Sequence, residues 1–251
     1  MSSQYFASGD LPGVSTPASD PFAIAVGGTT LGISQAGRRM FETGWSSGAW
    51  QVSGSGGWQR VGTFGAASGG ASQLWRQPAY QKGVVPASLA MFGAGNQGRA
   101  ARSVPDLSAV ADDLTGFTVG MLTSTGGQPP VYTQFPVGGT SLATPLVAAM
   151  VAVAQQGQPR PFGFVNPVLY RLAKTTAFYD TLPLTSASPA GYRGAYCPIS
   201  LCGAPALATF DDQSPDLYTY TGQVTLPGYD NMTGLGSIGP DFVRLLRAAE
   251  R

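Results

Sequence analysis

The chain has 251 residues, enough for one large domain with a real hydrophobic core; 43% are apolar, only 11% are charged, and the net charge is +1. Such a balance offers no basic patch for nucleic acid or an anionic membrane, so neither is an expected partner. The absence of histidine excludes an internal Ser-His-Asp or Cys-His machinery and any His-ligated metal.

With 35 glycines and 20 prolines, the composition suits a compact, loop-rich hydrolase. The opening MSSQYFASGD has no basic segment followed by an apolar run, so it is not a signal peptide. Gln4 to Ala7 reads as a short strand entering a turn, and Phe22 to Val26 as a buried strand ending at Gly27 and Gly28. Residues 44–72, rich in Gly and Ser, read as surface loops. Their interleaved Trp45, Trp50 and Trp58 argue against a flexible linker, because aromatic rings pack on something. Val104 to Val110 reads as a second buried segment. Phe117 to Leu122 and Val131 to Val137 read as two strands joined as a hairpin by STGGQPP.

GGTSLATPLVAAMVAVAQQG then predicts a tight glycine turn and a helix apolar on nearly every face, hence buried, ended by Gly157. The stretch from Leu142 to Ala154 contains Pro145 and is too short to span a bilayer. A second helix is expected from Asn166 to Lys174, with Asn166 as N-cap and Pro167 at the first helical position. A last helix is expected from Gly239 to Arg251, opening near Pro240 and Asp241. Strands alternating with helices give an α/β fold around a mostly parallel sheet. Cys197 and Cys202 sit close enough for a local disulfide, and two unpaired thiols fit equally well.

The chemistry concentrates at Gly138-Gly139-Thr140-Ser141-Leu142-Ala143-Thr144-Pro145. A serine at the start of a buried helix has free N–H groups and positive potential where an oxyanion would form. The preceding glycines let backbone and substrate approach closely. Ser141 could instead be a plain N-cap, but the full GTSxATP pattern resembles the nucleophile segment of subtilisin-like folds.

Without histidine, the resemblance narrows to the sedolisins, the serine-carboxyl peptidases, which set a glutamate on the serine and back it with an aspartate. Further segments resemble that family in order. They are Ser8-Gly9-Asp10, residues 17–21, residues 25–31, Glu42 to Trp45, Ser68 to Gly70 with Pro78 to Gln81, residues 104–108, residues 162–170 and residues 228–236. The resemblance implies a subtilisin-like α/β fold, with residues 1–251 forming the C-terminal part of the catalytic domain. It implies an acid-acting endopeptidase with Ser141 as nucleophile and Asp10 in the oxyanion hole, although SGD is also an ordinary turn. It implies a calcium site of Asp212, the carbonyl of Gln213, the carbonyls of Leu226 and Gly228, and Asp230; Asp211 and Asp216 are rival ligands, and solvated acidic loops are the plain alternative. Leu226 stands where a small residue is common and would be strained if its φ were positive.

The family's Glu and Asp lie four residues apart on a helix before SGD. In this sequence SGD begins at residue 8, and the only glutamates, Glu42 and Glu250, have no Asp four positions on. The chain is therefore expected to be inactive alone, with polypeptide substrates and a missing N-terminal half or prodomain as implied partners, in an extracellular setting. The alternative is a non-catalytic remnant or binding module that lays a peptide against Ser68-Gly69-Gly70.

Overall fold

The computed structural model describes residues 14–67, 69–91, 98–124, 126–184, 194–197, 206–210 and 224–249. The predicted strand at Gln4 to Ala7 lies outside them, as do Asp10 and Cys202.

A five-stranded sheet forms the centre, built from β1 (Val26–Ile33), β2 (Arg39–Gly44), β7 (Leu107–Val110), β10 (Phe178–Tyr179) and β13 (Ser237–Ile238) in the order β10-β13-β7-β1-β2. The three middle strands run parallel, and the two outer pairings are antiparallel. The helices α2 (Thr140–Gln155) and α4 (Phe242–Ala249) pack together, with α2 lying on β1 and β7, which gives the α/β layering the sequence predicts.

Strand β1 begins where the expected strand 22–26 ends, and Phe22 is 75% exposed. The reason lies in the glycines. A Cβ on Gly27 would meet the Met232 carbonyl at 2.6 Å, and one on Gly28 would meet the Ala111 side chain at 2.6 Å. Gly27 and Gly28 thus belong inside the strand, as the place where neighbouring backbone closes on it.

The reading of 44–72 as surface loops is corrected. These residues form β3 (Ser46–Val52), β4 (Trp58–Ala66) and the first part of β5 (Gly70–Arg76). Strands β3 and β4 join β11 (Gly194–Cys197) and β12 (Ala206–Phe210) in a four-stranded antiparallel sheet. Trp45 is buried in the core, against Gly28 and Gly65. Trp58 is half exposed.

Strand β5 pairs with β6 (Ala101–Val104), every residue of which is buried. One of them is Arg102, 0% exposed, whose guanidinium forks onto both Asp106 oxygens at 2.6 Å each. Asp106 also accepts the Ala25 amide at 2.8 Å and the Tyr170 hydroxyl at 2.8 Å. Burial alone would lower the Arg102 pKa, but the Asp106 charge and hydrogen bonds outweigh it and raise it.

The predicted hairpin is present as β8 (Phe117–Thr123) and β9 (Val131–Val137). Helix α2 forms and ends at Gly157, whose φ is +74°. It is not buried all round. Ala143, Val147 and Ala154 are in the core, while Pro145, Ala148, Ala149, Ala152 and Val153 are exposed. Its last turn is capped from outside, where Arg247 of α4 donates to the Val153 carbonyl at 2.7 Å and the Ala154 carbonyl at 3.0 Å. The next helix, α3 (Asn166–Arg171), is shorter than expected. Asn166 does not cap it; its side-chain amide donates to the Ala23 carbonyl at 2.8 Å, tying α3 to the entrance of β1.

Asp106→Ala should leave a buried guanidinium unpaired and cost about 3–5 kcal/mol. Chemical denaturation measures it; a loss under about 1 kcal/mol, the range of an exposed pair, would contradict the anchoring role.

Candidate active site

Strand β7 delivers the chain to Ala111, and its carbonyl accepts the Gly139 amide at 2.5 Å. Gly139 is the N-cap of α2 with φ +79° and ψ 165°, a conformation that glycine adopts without strain. Gly138 is pressed against the Ala111 carbonyl and Asp113, so that a Cβ there would meet the Asp113 amide nitrogen at 2.6 Å. Two glycines are needed here for two different reasons, one for space and one for φ.

This turn places Ser141 in the first turn of α2, exposed, with its side chain making no cap to the helix. The plain N-cap reading is therefore replaced by Gly139 in that position. The Leu142 and Ala143 amides both bond back to the Gly139 carbonyl, at 2.9 and 3.3 Å. Among the described residues the Thr140 and Ser141 amides have no acceptor, and no side chain reaches the Ser141 hydroxyl. A hydroxyl beside unspent N–H groups at the positive end of a sixteen-residue helix can serve attack on a carbonyl and hold the resulting oxyanion.

Asp113 is a carboxyl beside this turn that the sequence reading missed. Its pKa is raised, first by desolvation and then by the charge of Asp112. Asp112 is buried and accepts from Thr30 Oγ1 and Ser47 Oγ, both at 2.7 Å, and from the Leu114 amide at 2.9 Å. An AspAsp pair just after a buried strand was the available signal.

Of the segment Ser68-Gly69-Gly70, Ser68 lies outside the described residues, and the two glycines offer no open bed for peptide. Gly69 and Gly70 are buried, Gly70 pairs with Val104, and a Cβ on Gly69 would meet Pro105 and the Val104 and Asn231 carbonyls.

Of the expected calcium ligands, Asp212 and Gln213 lie outside the described residues, with Asp211 and Asp216. Leu226, Gly228 and Asp230 lie on one loop. The positive φ falls on Gly228, at +81°, and Lys174 is the one described non-glycine residue with such a backbone, so Leu226 is unstrained. Asp230 is fully buried. It accepts the amides of Met232 at 2.8 Å, Thr233 at 2.7 Å and Leu226 at 3.1 Å, and the Thr233 hydroxyl at 3.0 Å. Desolvation still pushes its pKa up to about 7 against these donors. No cation pairs with it among the described residues, and no three acidic or cysteine side chains cluster there. A buried carboxylate short of positive charge, on the same loop as Leu226 and Gly228, has the donor chemistry of one part of a hard-cation site. A cation would compete with the Leu226 amide, the longest of the four bonds.

Compared with known proteins, the chain matches the model described as the Subtilase family over residues 6–232. It is 35% identical to Kumamolisin of Bacillus sp. (strain MN-32) over 159 residues, 63% of this chain and 24% of the relative. It is 32% identical to Sedolisin of Pseudomonas sp. (strain 101) over 166 residues, 65% of this chain and 23% of the relative. Among solved structures it is similar to Pseudomonas sedolisin, a serine-carboxyl proteinase complexed with two molecules of pseudo-iodotyrostatin. The TM-score is 0.56 at 25% identity, over 94% of this chain and 48% of that one. The chain thus spans about a quarter of the length of these curated relatives and about half of the solved one.

Gly138→Ala should push its Cβ into fixed backbone and cost about 1–3 kcal/mol. A thermal melt measures this; an unchanged melting temperature would mean that the turn is looser than described.

Proposed function

This chain belongs to the subtilase family, on its sedolisin branch, and from that premise we propose that it is the nucleophile-bearing part of a serine-type endopeptidase acting on polypeptides at acid pH. The observation that carries the reading is Ser141 at the N-terminus of α2, with its hydroxyl and its own amide both free of partners among the described residues. Ser141 attacks the scissile carbonyl and forms an acyl-enzyme. The Ser141 amide and, on the strength of the resemblance, a protonated Asp10 hold the oxyanion. A glutamate is the general base in sedolisins, and no Glu in these 251 residues has an Asp four positions on. An extracellular setting belongs to the same proposal and rests on family likeness. Among the described residues no helix is long and apolar enough to cross a membrane.

A second reading, a peptide-binding module without catalysis, is favoured by one observation: neither glutamate of these 251 residues has an Asp four positions on. A serine-reactive phosphonate at pH 4 separates the two. Labelling that disappears in Ser141→Ala and slows roughly 100-fold in Asp10→Ala supports the peptidase. Absence of labelling even when a Glu/Asp-bearing N-terminal half is supplied supports the module.

Calcium, in this proposal, stabilises the C-terminal loop through Asp230 and the Leu226 and Gly228 carbonyls, with Asp212 and the Gln213 carbonyl completing the set. Bound there, the ion supplies positive charge to a buried carboxylate and takes no part in the chemistry. The pH dependence has a definite sign. Between about 4, the usual carboxylate value, and about 7, folded Asp230 keeps a proton that the unfolded chain has released. Stability in chelator therefore falls as pH rises through that window and levels above it. Calcium needs the ionised form, so its stabilisation grows over the same window, to about 2.7 kcal/mol at 100 times its Kd. Melts at pH 5 and pH 8, with calcium and with chelator, test this. Asp230→Asn should remove the calcium effect, and identical melts of the folded parent chain at pH 8 would reject the site.

A further inference from the structure

Asp113 sits where the turn that presents Ser141 is tightest. A Cβ on Gly138 would come within 2.6 Å of the Asp113 amide nitrogen and closer still to its Oδ1, so only a glycine lets this carboxyl close onto the chain. The backbone around Asp113 is held on both sides. The Leu114 amide donates to Asp112 Oδ1 at 2.9 Å, the Thr115 amide to the Asp112 carbonyl at 3.0 Å, and the Thr115 hydroxyl accepts the Leu31 amide at 3.2 Å. Moving Asp113 away from Gly138 would break these bonds. Among the described residues no group donates a hydrogen bond to its carboxyl.

Gly138 is three residues from Ser141, a span of at most about 11 Å. At the far end of that span the Thr140 and Ser141 amides have no acceptor among the described residues. A carboxyl and the positive end of α2 therefore share one turn. An ionised Asp113 and an oxyanion are two negative charges drawn to the same N–H groups, so each makes the other less favourable. The elements packed on the turn bring no cation to offset Asp113. Strands β1, β3 and β7 contain no charged residue, and none occurs between Asp113 and Arg160, which covers the hairpin and α2. Tyr132, the one titratable side chain of the hairpin, lies over Gly120. The charged neighbour is Asp112, of the same sign.

We propose that Asp113 acts on the reaction through the Gly138–Ser141 turn: its carboxylate, when ionised, opposes an oxyanion at the Thr140 and Ser141 amides, and its protonation lifts that opposition. Asp113 is then a positioning residue that favours acid pH, in addition to the serine, glutamate and aspartates of the sedolisins. The proposal rests on Ser141 being the nucleophile. Desolvation, and after it the Asp112 charge, raise the Asp113 pKa. The opposition is therefore absent at low pH and complete only well above the ordinary aspartate value of about 4.

The test uses the full chain, labelled with 15N and 13C. The Asp113 carboxyl carbon and the Thr140 and Ser141 amides are followed by NMR from pH 3 to pH 7. Both amides should titrate at the midpoint of the Asp113 carboxyl, and that midpoint should exceed about 4. Asp113→Asn should remove the amide titration, Asp113→Glu should retain one, and Asp10→Asn should leave the Asp113 step in place. Amide shifts that stay flat through the Asp113 midpoint overturn the proposal. So does a titration that persists in Asp113→Asn and is lost in Asp10→Asn. If Asp113→Asn fails to fold by circular dichroism, the midpoints of the parent chain decide alone. With a Glu/Asp-bearing N-terminal half supplied, the ratio of phosphonate labelling at pH 7 to that at pH 3 should rise roughly two- to five-fold in Asp113→Asn, and less in about 0.5 M salt. An unchanged ratio at low salt also overturns the proposal. Absent labelling of the parent, with amides that follow Asp113, removes the nucleophile reading alone.

Discussion

The Arg102–Asp106 pair is the interaction on which the placement of everything else depends. Both side chains are fully buried, and they sit on either side of the Val104–Pro105 bond, where β6 ends and β7 begins. Arg102 also reaches the Ser103 carbonyl at 2.6 Å and the Ala23 carbonyl at 3.2 Å. Asp106 holds the Ala25 amide, which fixes β1 beside β7. Tyr170 closes the ring from α3, and Gln81 bonds Tyr170 and the Ser103 backbone. Burial, then the Asp106 charge, raises the Tyr170 and Tyr229 pKa values, so both phenols stay neutral donors. A buried ion pair contributes little net stability compared with an apolar pair of similar size, but losing one partner is expensive. Its value here is register. Once β7 is set, Ala111 is set, and through its carbonyl the turn that presents Ser141.

The parts legible in the sequence were those governed by local rules. The β8–β9 hairpin had alternating apolar residues around a Gly/Pro turn, and α2 had a glycine turn, an apolar run and Gly157 to end it. Residues 44–72 read as loops because glycine and serine carry no periodicity in hydrophobicity, yet they suit a strand that neighbouring backbone must approach. There Gly65 leaves room for the Trp45 ring. Half of that sheet comes from β11 and β12, about 150 residues later, which no local window can see. Helix α2 was expected to be buried because its composition is apolar all round; composition states which faces can be buried, and the neighbours decide which are.

The candidate site was legible to a similar, limited extent. The motif gave the position of Ser141 but not why two glycines precede it, one to admit the Ala111 carbonyl and Asp113, the other to take a positive φ. Asp113 carries no motif; its interest comes from Gly138 packing on it and from Asp112 beside it. Asn166 reads as a cap because Asn before Pro is a frequent helix start, but its amide bonds a carbonyl 143 residues away instead. Asp230 reads as a ligand by likeness alone, and its burial among three amides and a hydroxyl is visible only in the structure.

The position of β13 bears on how the molecule is made. This two-residue strand lies inside the sheet, between β10 and β7, and the segment around it ties to distant sites: Ser237 donates to Glu42, 195 residues earlier, and Tyr229 to the Pro105 carbonyl. From the start of β1 to the start of β13, a ribosome adding roughly 5–20 residues per second takes roughly 10–40 seconds. Throughout that time one edge of β7 and the apolar surface under α4 have no partner. The sheet is complete only after β13 emerges, so its edge is open to misassociation until then, and loss of residues 237–238 removes an interior strand.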